Sequence, residues 1–164
     1  MKIKKSIKVS ALFLVITVFM SSCSLTRVAI PAPETETKNV ETESDNNSNF
    51  IKANEWMVQS FNNAKSVIQF KDKEAGIVKG KYLMKAGVNG TQYVASSPSF
   101  YSIITIRVKD NLSRIEINAP SEMFSFKVYG IETGFTKEMF LAKTSKLINE
   151  FEIYMKKKSS NDNW

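Results

Sequence analysis

Few residues in this chain are equipped for chemistry. Its 164 residues include no histidine and one cysteine, Cys23. Without histidine there is no Ser-His-Asp or Cys-His nucleophile, no His-ligated zinc and no side chain that titrates near neutrality by default. Two carboxylate pairs, Asp72 with Glu74 and Asp110 with Glu116, have the residue types for glycoside hydrolysis or metal chemistry. Both pairs fall at expected hairpin turns or on an outward strand face, where acids are ordinarily just solvated. We therefore expect no enzyme, no metal and no cofactor. A hydrolase acting through carboxylates alone is the lesser alternative.

The second pattern is basic. Lys79, Lys81 and Lys85 alternate along one stretch, Arg107 and Lys109 along another, and Arg114 joins from a third. On strands, a period of two puts each set on one face. Lys71, Gln69, Leu83, Tyr101 and Ile103 are expected among them, with Glu116 as the acid of that face. This is a candidate surface for an anionic or extended ligand: an anionic glycolipid, an acidic polysaccharide or another envelope protein. The plainer reading is a solvated sheet whose lysines discourage aggregation.

The elements that must position these residues follow from periodicity. Phe50, Ala53, Met57, Phe61 and Ala64 recur at three- and four-residue steps, which predicts a helix capped by Ser48 or Asn49, with Trp56 near the edge of its buried stripe. Alternation predicts strands over Ser66–Asp72, Ile77–Ala86, Phe100–Lys109 and Ser113–Ala119. In the first, Ile68 and Phe70 face inward; in the last, Ile115 and Ile117 do. A short strand is a further option at Gln92–Ala95. Met123–Tyr129 reads as strand or packed loop. A last helix is capped by Thr136 and buries Phe140, Leu147, Ile148, Phe151, Tyr154 and Met155. Helix, antiparallel strands and helix make an α+β domain of four to five strands with two helices on one face.

The N-terminus is of another kind. Lys2, Lys4, Lys5 and Lys8 precede an apolar run from Val9 to Met20, then Ser21, Ser22 and Cys23. The run is too short for a spanning helix, which needs roughly 20 apolar residues. A basic start, an apolar middle and small residues describe an export signal over 1–22. With the cysteine just beyond, it resembles the lipobox of bacterial lipoproteins. That resemblance implies removal of 1–22, lipidation of Cys23, and anchoring in the cell envelope. Ser24 after the cysteine implies the outer membrane, and the lack of an immediate acidic run favours its periplasmic side.

Residues 23–49 read as lipid anchor and flexible tether, being rich in Pro, Thr, Glu, Asn and Ser; Thr26–Ile30 or Thr37–Thr42 could instead add a short strand. The domain is expected over 50–158 and a frayed tail over 159–164. From Phe50 onward there are 17 bases against 11 acids, so the basic character belongs to the domain. That leans toward an acidic partner.

The stretch from Asn54 to Lys81, with Trp56, Val67-Ile68-Gln69-Phe70-Lys71-Asp72 and Ile77-Val78-Lys79-Gly80-Lys81, is similar to a domain of unknown function with a TATA-binding-protein-like (TBP-like) fold. That family occurs mostly in secreted proteins and lipoproteins of Bacteroides-type bacteria. Arg107-Val108-Lys109-Asp110, Arg114 and Leu147–Phe151 fit as well. The resemblance spans most of 50–156. It implies an antiparallel sheet backed by two helices, with a strand before the first helix that is weak or absent here. It implies no activity and no site residues. TBP binds DNA with such a sheet, but fold does not transfer function, and an exported lipoprotein is not expected to bind nucleic acid. The reading is a non-catalytic binding or scaffolding domain; a structural accessory subunit of an envelope complex is the alternative.

Overall fold

The structure, a computed structural model, describes residues 28–61, 67–92, 96–128 and 131–157. The expected export signal, Cys23 and the tail 159–164 lie outside the described residues. In chain order the elements are β1 (Val28–Ile30), β2 (Glu36–Glu41), α1 (Asn46–Ser60), β3 (Val67–Asp72), β4 (Ile77–Lys85), β5 (Phe100–Lys109), β6 (Leu112–Ile117), β7 (Met123–Val128), β8 (Ile131–Phe135) and α2 (Lys137–Lys156).

Five strands form an antiparallel sheet in the order β2-β6-β5-β4-β3. Alternation along β5 and β6 puts Ile104, Ile106, Val108, Ile115 and Ile117 on one face, all buried. Both helices cover that face: α1 lies over β4, β5 and β6, and α2 lies over β2 and β6 and against α1. Trp56 and Phe151 meet edge to face between the helices, ring centroids 5.2 Å apart. Phe140 and Phe151 are fully buried, each contributing about 1.5–3 kcal/mol of transfer free energy. Trp56 is therefore core, not an edge residue.

A second sheet, β1-β7-β8, stands beside the single sheet that the alternation predicts. Met123–Val128 is a strand, which resolves the choice between strand and loop. Its Phe124 and the Phe135 of β8 flank Phe100, with centroids 5.3 and 5.2 Å away, so this sheet closes one end of the core.

Residues 28–49 depart most from the expectation of a flexible tether. Both optional strands form, β1 within Thr26–Ile30 and β2 over nearly all of Thr37–Thr42. β2 pairs along β6 from Glu36↔Ile117 to Glu41↔Leu112, and Val40 is buried. One buried valine and a full backbone ladder hold in place a strand whose composition reads as a linker. α1 also begins earlier than expected. Its N-cap is Asp45, which accepts from the Ser48 amide at 2.7 Å, rather than Ser48 or Asn49. Asn49 is instead buried, its amide donating to Thr42 Oγ1 and the Lys109 carbonyl, both at 2.9 Å. Thr136 caps α2 as expected, accepting from the Met139 amide at 3.3 Å.

Gln92 is the first residue of the optional strand at Gln92–Ala95, and the rest of that stretch lies outside the described residues. One isolated bridge, Val88↔Ser97, closes the described parts of this loop.

Candidate functional site on the open sheet face

The face of the five-stranded sheet away from the helices presents the odd-numbered residues of β5, those of β4 from Ile77 to Leu83, and the even-numbered residues of β6. Cross-strand pairing gives its rows. Ile77, Arg107, Arg114 and Asn39 lie in one row across β4, β5, β6 and β2; Lys79, Thr105, Glu116 and Thr37 lie in the next. Lys81 pairs with Ile103, and Leu83 with Tyr101. Lys109 continues the β5 line opposite Leu112.

Five of the six expected basic residues therefore share this face: Lys79, Lys81, Arg107, Lys109 and Arg114. Lys85 does not. The β4–β5 register shifts between Leu83 and Lys85, so Lys85 stands opposite Phe100, on the helix side. Its ammonium donates to the Gly134 carbonyl of β8. An extra residue in one strand turns every later side chain to the other face.

A second shift, between Ile68 and Phe70, does the same to β3. Ile68 pairs with Gly80 and Phe70 with Lys79, so Phe70 lies on the open face and is 49% exposed, against the expectation that it faces inward. Lys71, expected on the open face, pairs with buried Val78 instead. The face is thus less purely basic than the alternation implied. It carries Phe70, Ile103 and Tyr101 among its cations, and register adds Glu41 and Asp72 at its two edges.

Its electrostatics centre on Glu116. Arg107 and Arg114 are direct cross-strand partners, and Glu116 Oε1 lies 3.8 Å from Arg107 Nε and 3.8 Å from Arg114 Nη1. Arg114 Nε also donates to Asn39 Oδ1 at 2.7 Å. Lys81 Nζ stands 4.2 Å from the Tyr101 ring centroid, a cation–π contact that holds the ammonium over the sheet. Thr105, at the middle of the face, is buried beneath its long neighbours. A shallow pocket of about 440 Å³ adjoins the face and is lined by Lys81, Tyr101, Ile103, Pro98, Pro120 and Glu122 among others.

The carboxylate pairs have structural partners. Asp72 Oδ1 accepts from the Ala75 amide at 2.9 Å across the β3–β4 turn. Asp110 Oδ1 accepts from the Asn46 amide at 2.7 Å, joining Asp45 at the α1 N-terminus. Glu116 is shared by two arginines, and Glu74 is an exposed turn residue. Among the described residues no group of three or more His, Cys, Asp or Glu is arranged to hold a metal ion.

Two further hollows flank the helices. One, of about 740 Å³, lies between the β2–α1 loop and the end of α2. Buried Lys52 lines it, donating to the Lys157 carbonyl at 2.7 Å and to Ser44 Oγ at 3.2 Å. The other, of about 460 Å³, lies where Tyr82 and Lys143 meet the helix pair. Burial, and then Glu150, push the Tyr82 phenol up; burial, and then Lys146, pull the Lys143 ammonium down. Lys143 Nζ donates to the Met84 carbonyl at 2.6 Å, so both groups belong to the rim of the core. Nothing in the sequence pattern singles out Lys52 or Lys143. Their one sequence cue is a lysine next to a buried helical stripe, which surface lysines share.

No curated protein matches the chain. It is similar to a solved DUF4468 family protein from Bacteroides ovatus, at 12% identity and a TM-score of 0.48, over 79% of this chain and 93% of that one. It is also similar to a TBP-like protein from Parabacteroides distasonis, at 12% identity and a TM-score of 0.46, over 72% and 92% of the two chains. Residues 35–122 match the family described as a domain of unknown function (DUF4468) with TBP-like fold. The match starts before Phe50, taking in β2, the strand before the first helix, and it runs through the whole five-stranded sheet. This chain belongs to the DUF4468 family of domains of unknown function with a TBP-like fold.

Proposed function

We propose that the protein is a membrane-anchored envelope lipoprotein whose DUF4468 domain is a non-catalytic binding or scaffolding module, working through the open face of its sheet. The observation that carries this reading is the gathering of Lys79, Lys81, Arg107, Lys109 and Arg114 on a face that neither helix covers. Aromatic and aliphatic side chains stand between those cations, which suits a ligand with anionic groups on an apolar frame. Support for a non-enzymatic role comes from the carboxylates, whose oxygens serve turns, a helix N-terminus and arginines. Anchoring rests on the sequence around Cys23. No described helix is long and apolar enough to cross a membrane.

The test is recovery of partners from detergent-solubilised membranes by the wild-type protein and by a Lys79→Ala, Lys81→Ala, Arg107→Ala variant. Exposed charges act together and are screened beyond ~8 Å at physiological salt. Capture should therefore weaken in the variant and fall as salt rises. Capture of the same partners by both proteins at every salt concentration removes the face from the reading and leaves a structural subunit held by other surfaces.

A further inference from the structure

We infer that the open sheet face is apposed to the anionic headgroups of the bilayer in which Cys23 is anchored. The inference rests on the lipoprotein reading and deepens it. A flexible tether over 23–49 would let the domain stand well off the membrane. The structure removes most of that tether, because β1 begins at Val28 and β2 at Glu36. Only residues 24–27 separate Cys23 from β1. Whatever their conformation, the five steps from Cys23 to Val28 span at most about 18 Å. That is about half the width of a domain of this size, whose radius of gyration is about 13 Å. The anchored end of the domain is therefore held within about 18 Å of the membrane, and the question becomes which side it turns downward.

Charge and position select the open face. The exposed side of α1 offers Ile51, Glu55 and Val58, with no base among them. The exposed side of α2 mixes acids and bases, and its Lys146 and Lys156 are paired with Glu150 and Glu152. The open face gathers five bases, Lys79, Lys81, Arg107, Lys109 and Arg114, with exposed Phe70 and Ile103 beside them to enter the interfacial region. The anchored end of the chain adjoins it. Ala29 of β1 pairs with Phe124 of β7, and Phe124 lines the same pocket as Lys81, Tyr101 and Ile103. A weak surface suffices under these conditions. A short linker holds its two ends at an effective concentration in roughly the mM range, so a face with only mM affinity for headgroups is engaged about half the time.

The experiment uses the full-length acylated protein in phosphatidylcholine vesicles, with and without phosphatidylglycerol, carrying a headgroup-attached quencher. With Cys23 acylated, a single introduced thiol can be labelled uniquely. Thr37→Cys places a fluorophore on the open face and Ser145→Cys places one on exposed α2. The expected result in anionic vesicles is at least roughly twofold stronger quenching at position 37 than at 145, falling to parity as salt cuts the screening length from about 10 Å to about 3 Å. Lys79→Glu with Arg107→Glu should also bring the two positions to parity. Equal quenching at both positions in anionic vesicles at low salt overturns the inference. So does protection of position 37 by an acidic polysaccharide with no vesicle effect, which makes the face glycan-binding. Parallel fractionation separates the premise: if wild type and Cys23→Ser partition alike, the anchor reading fails and the inference with it. If only wild type is retained and the quenching is equal, apposition alone fails.

Discussion

Arg107 stands directly opposite Arg114 across the β5–β6 pair, and one oxygen of Glu116 lies 3.8 Å from a nitrogen of each. Like charges in direct cross-strand pairs cost roughly 0.2–1 kcal/mol. A single acid offsets that here without neutralising both arginines. The arginine side chains are about half exposed, so each ion pair is worth about 0–1 kcal/mol. Glu116→Gln, which removes both pairs, should therefore lower stability by no more than about 2 kcal/mol while raising retention on anionic vesicles. Urea unfolding and vesicle co-sedimentation check the two halves. Weaker retention would mean that Glu116 orients the arginines rather than restraining their charge.

The bulge in β3 is tested by two phenylalanines. Phe70 is exposed on the open face, whereas Phe151 is fully buried against Trp56. Phe70→Ala should change stability by no more than about 0.5 kcal/mol, and Phe151→Ala should cost about 3–5 kcal/mol. Denaturant midpoints compared at constant slope measure both. A large loss at Phe70 would restore it to the core and contradict the Phe70↔Lys79 register.

Lys52 ties the two helices through their ends. Its ammonium reaches the Lys157 carbonyl, beyond the last turn of α2, from a buried position on α1. Cations suit a helix C-terminus. Lys52→Met keeps most of the aliphatic stem and removes the donor. It should cost about 1–3 kcal/mol, the penalty of leaving acceptors unsatisfied. Hydrogen exchange in the last turn of α2 should accelerate, and an unchanged exchange pattern would show that the contact does not hold this end.

Gly76 takes φ +63 in the β3–β4 turn, and a Cβ there would lie 2.4 Å from the Val108 carbonyl. The glycine carbonyl itself accepts from the Val108 amide at 2.8 Å, docking the turn on β5. Gly76→Ala meets both the left-handed penalty, about 1–2 kcal/mol, and a backbone clash. Its thermal midpoint should fall well below that of an alanine at exposed Glu74, the matched control.

Stability should decline on acidification. The Ser48 amide, and then its hydroxyl, hold the Asp45 carboxyl below its ordinary value. Its own backbone amide, and then Thr136, do the same for Glu138 at the start of α2. A lowered folded-state pKa stabilises the fold above the unfolded-state value, and that contribution disappears as pH falls through the folded-state value. The loss should therefore set in below about pH 4. Asp45→Asn keeps an N-capping side chain without a titrating group, so its midpoint-against-pH curve should be flatter on the acid side. Parallel curves would assign the acid loss to other carboxylates.

Local pattern carried much of the architecture. The stripes of α1 and α2 and the alternation of β5 and β6 are written in residue type, because burying apolar area on one face demands those periods. What escaped was weakly written. β2 has one buried apolar residue, Val40, and is held by backbone pairing with β6, to which side-chain composition is blind. β8 is short, Ile131–Phe135, and follows closely on β7, so no periodicity has room to develop. Lys52 and Asn49 look like any polar helical residues until the end of α2 and the turn after β5 are brought against them.

The basic face divides along the same line. Alternation alone determined that Lys79 and Lys81 share a side, that Arg107 and Lys109 do, and that a cationic sheet face results, because side-chain direction in a regular strand is a matter of parity. Tertiary structure decided where that parity breaks. The two register shifts, at Ile68/Phe70 and Leu83/Lys85, remove Lys71 and Lys85 from the face and put Phe70 on it. A bulge is fixed by how a strand must bend to pair with its neighbour and cover the core, a demand set by residues distant in sequence. The same holds for the distance from Cys23 to the domain: the chain's composition reads as a long tether, and only pairing with β6 and β7 shortens it.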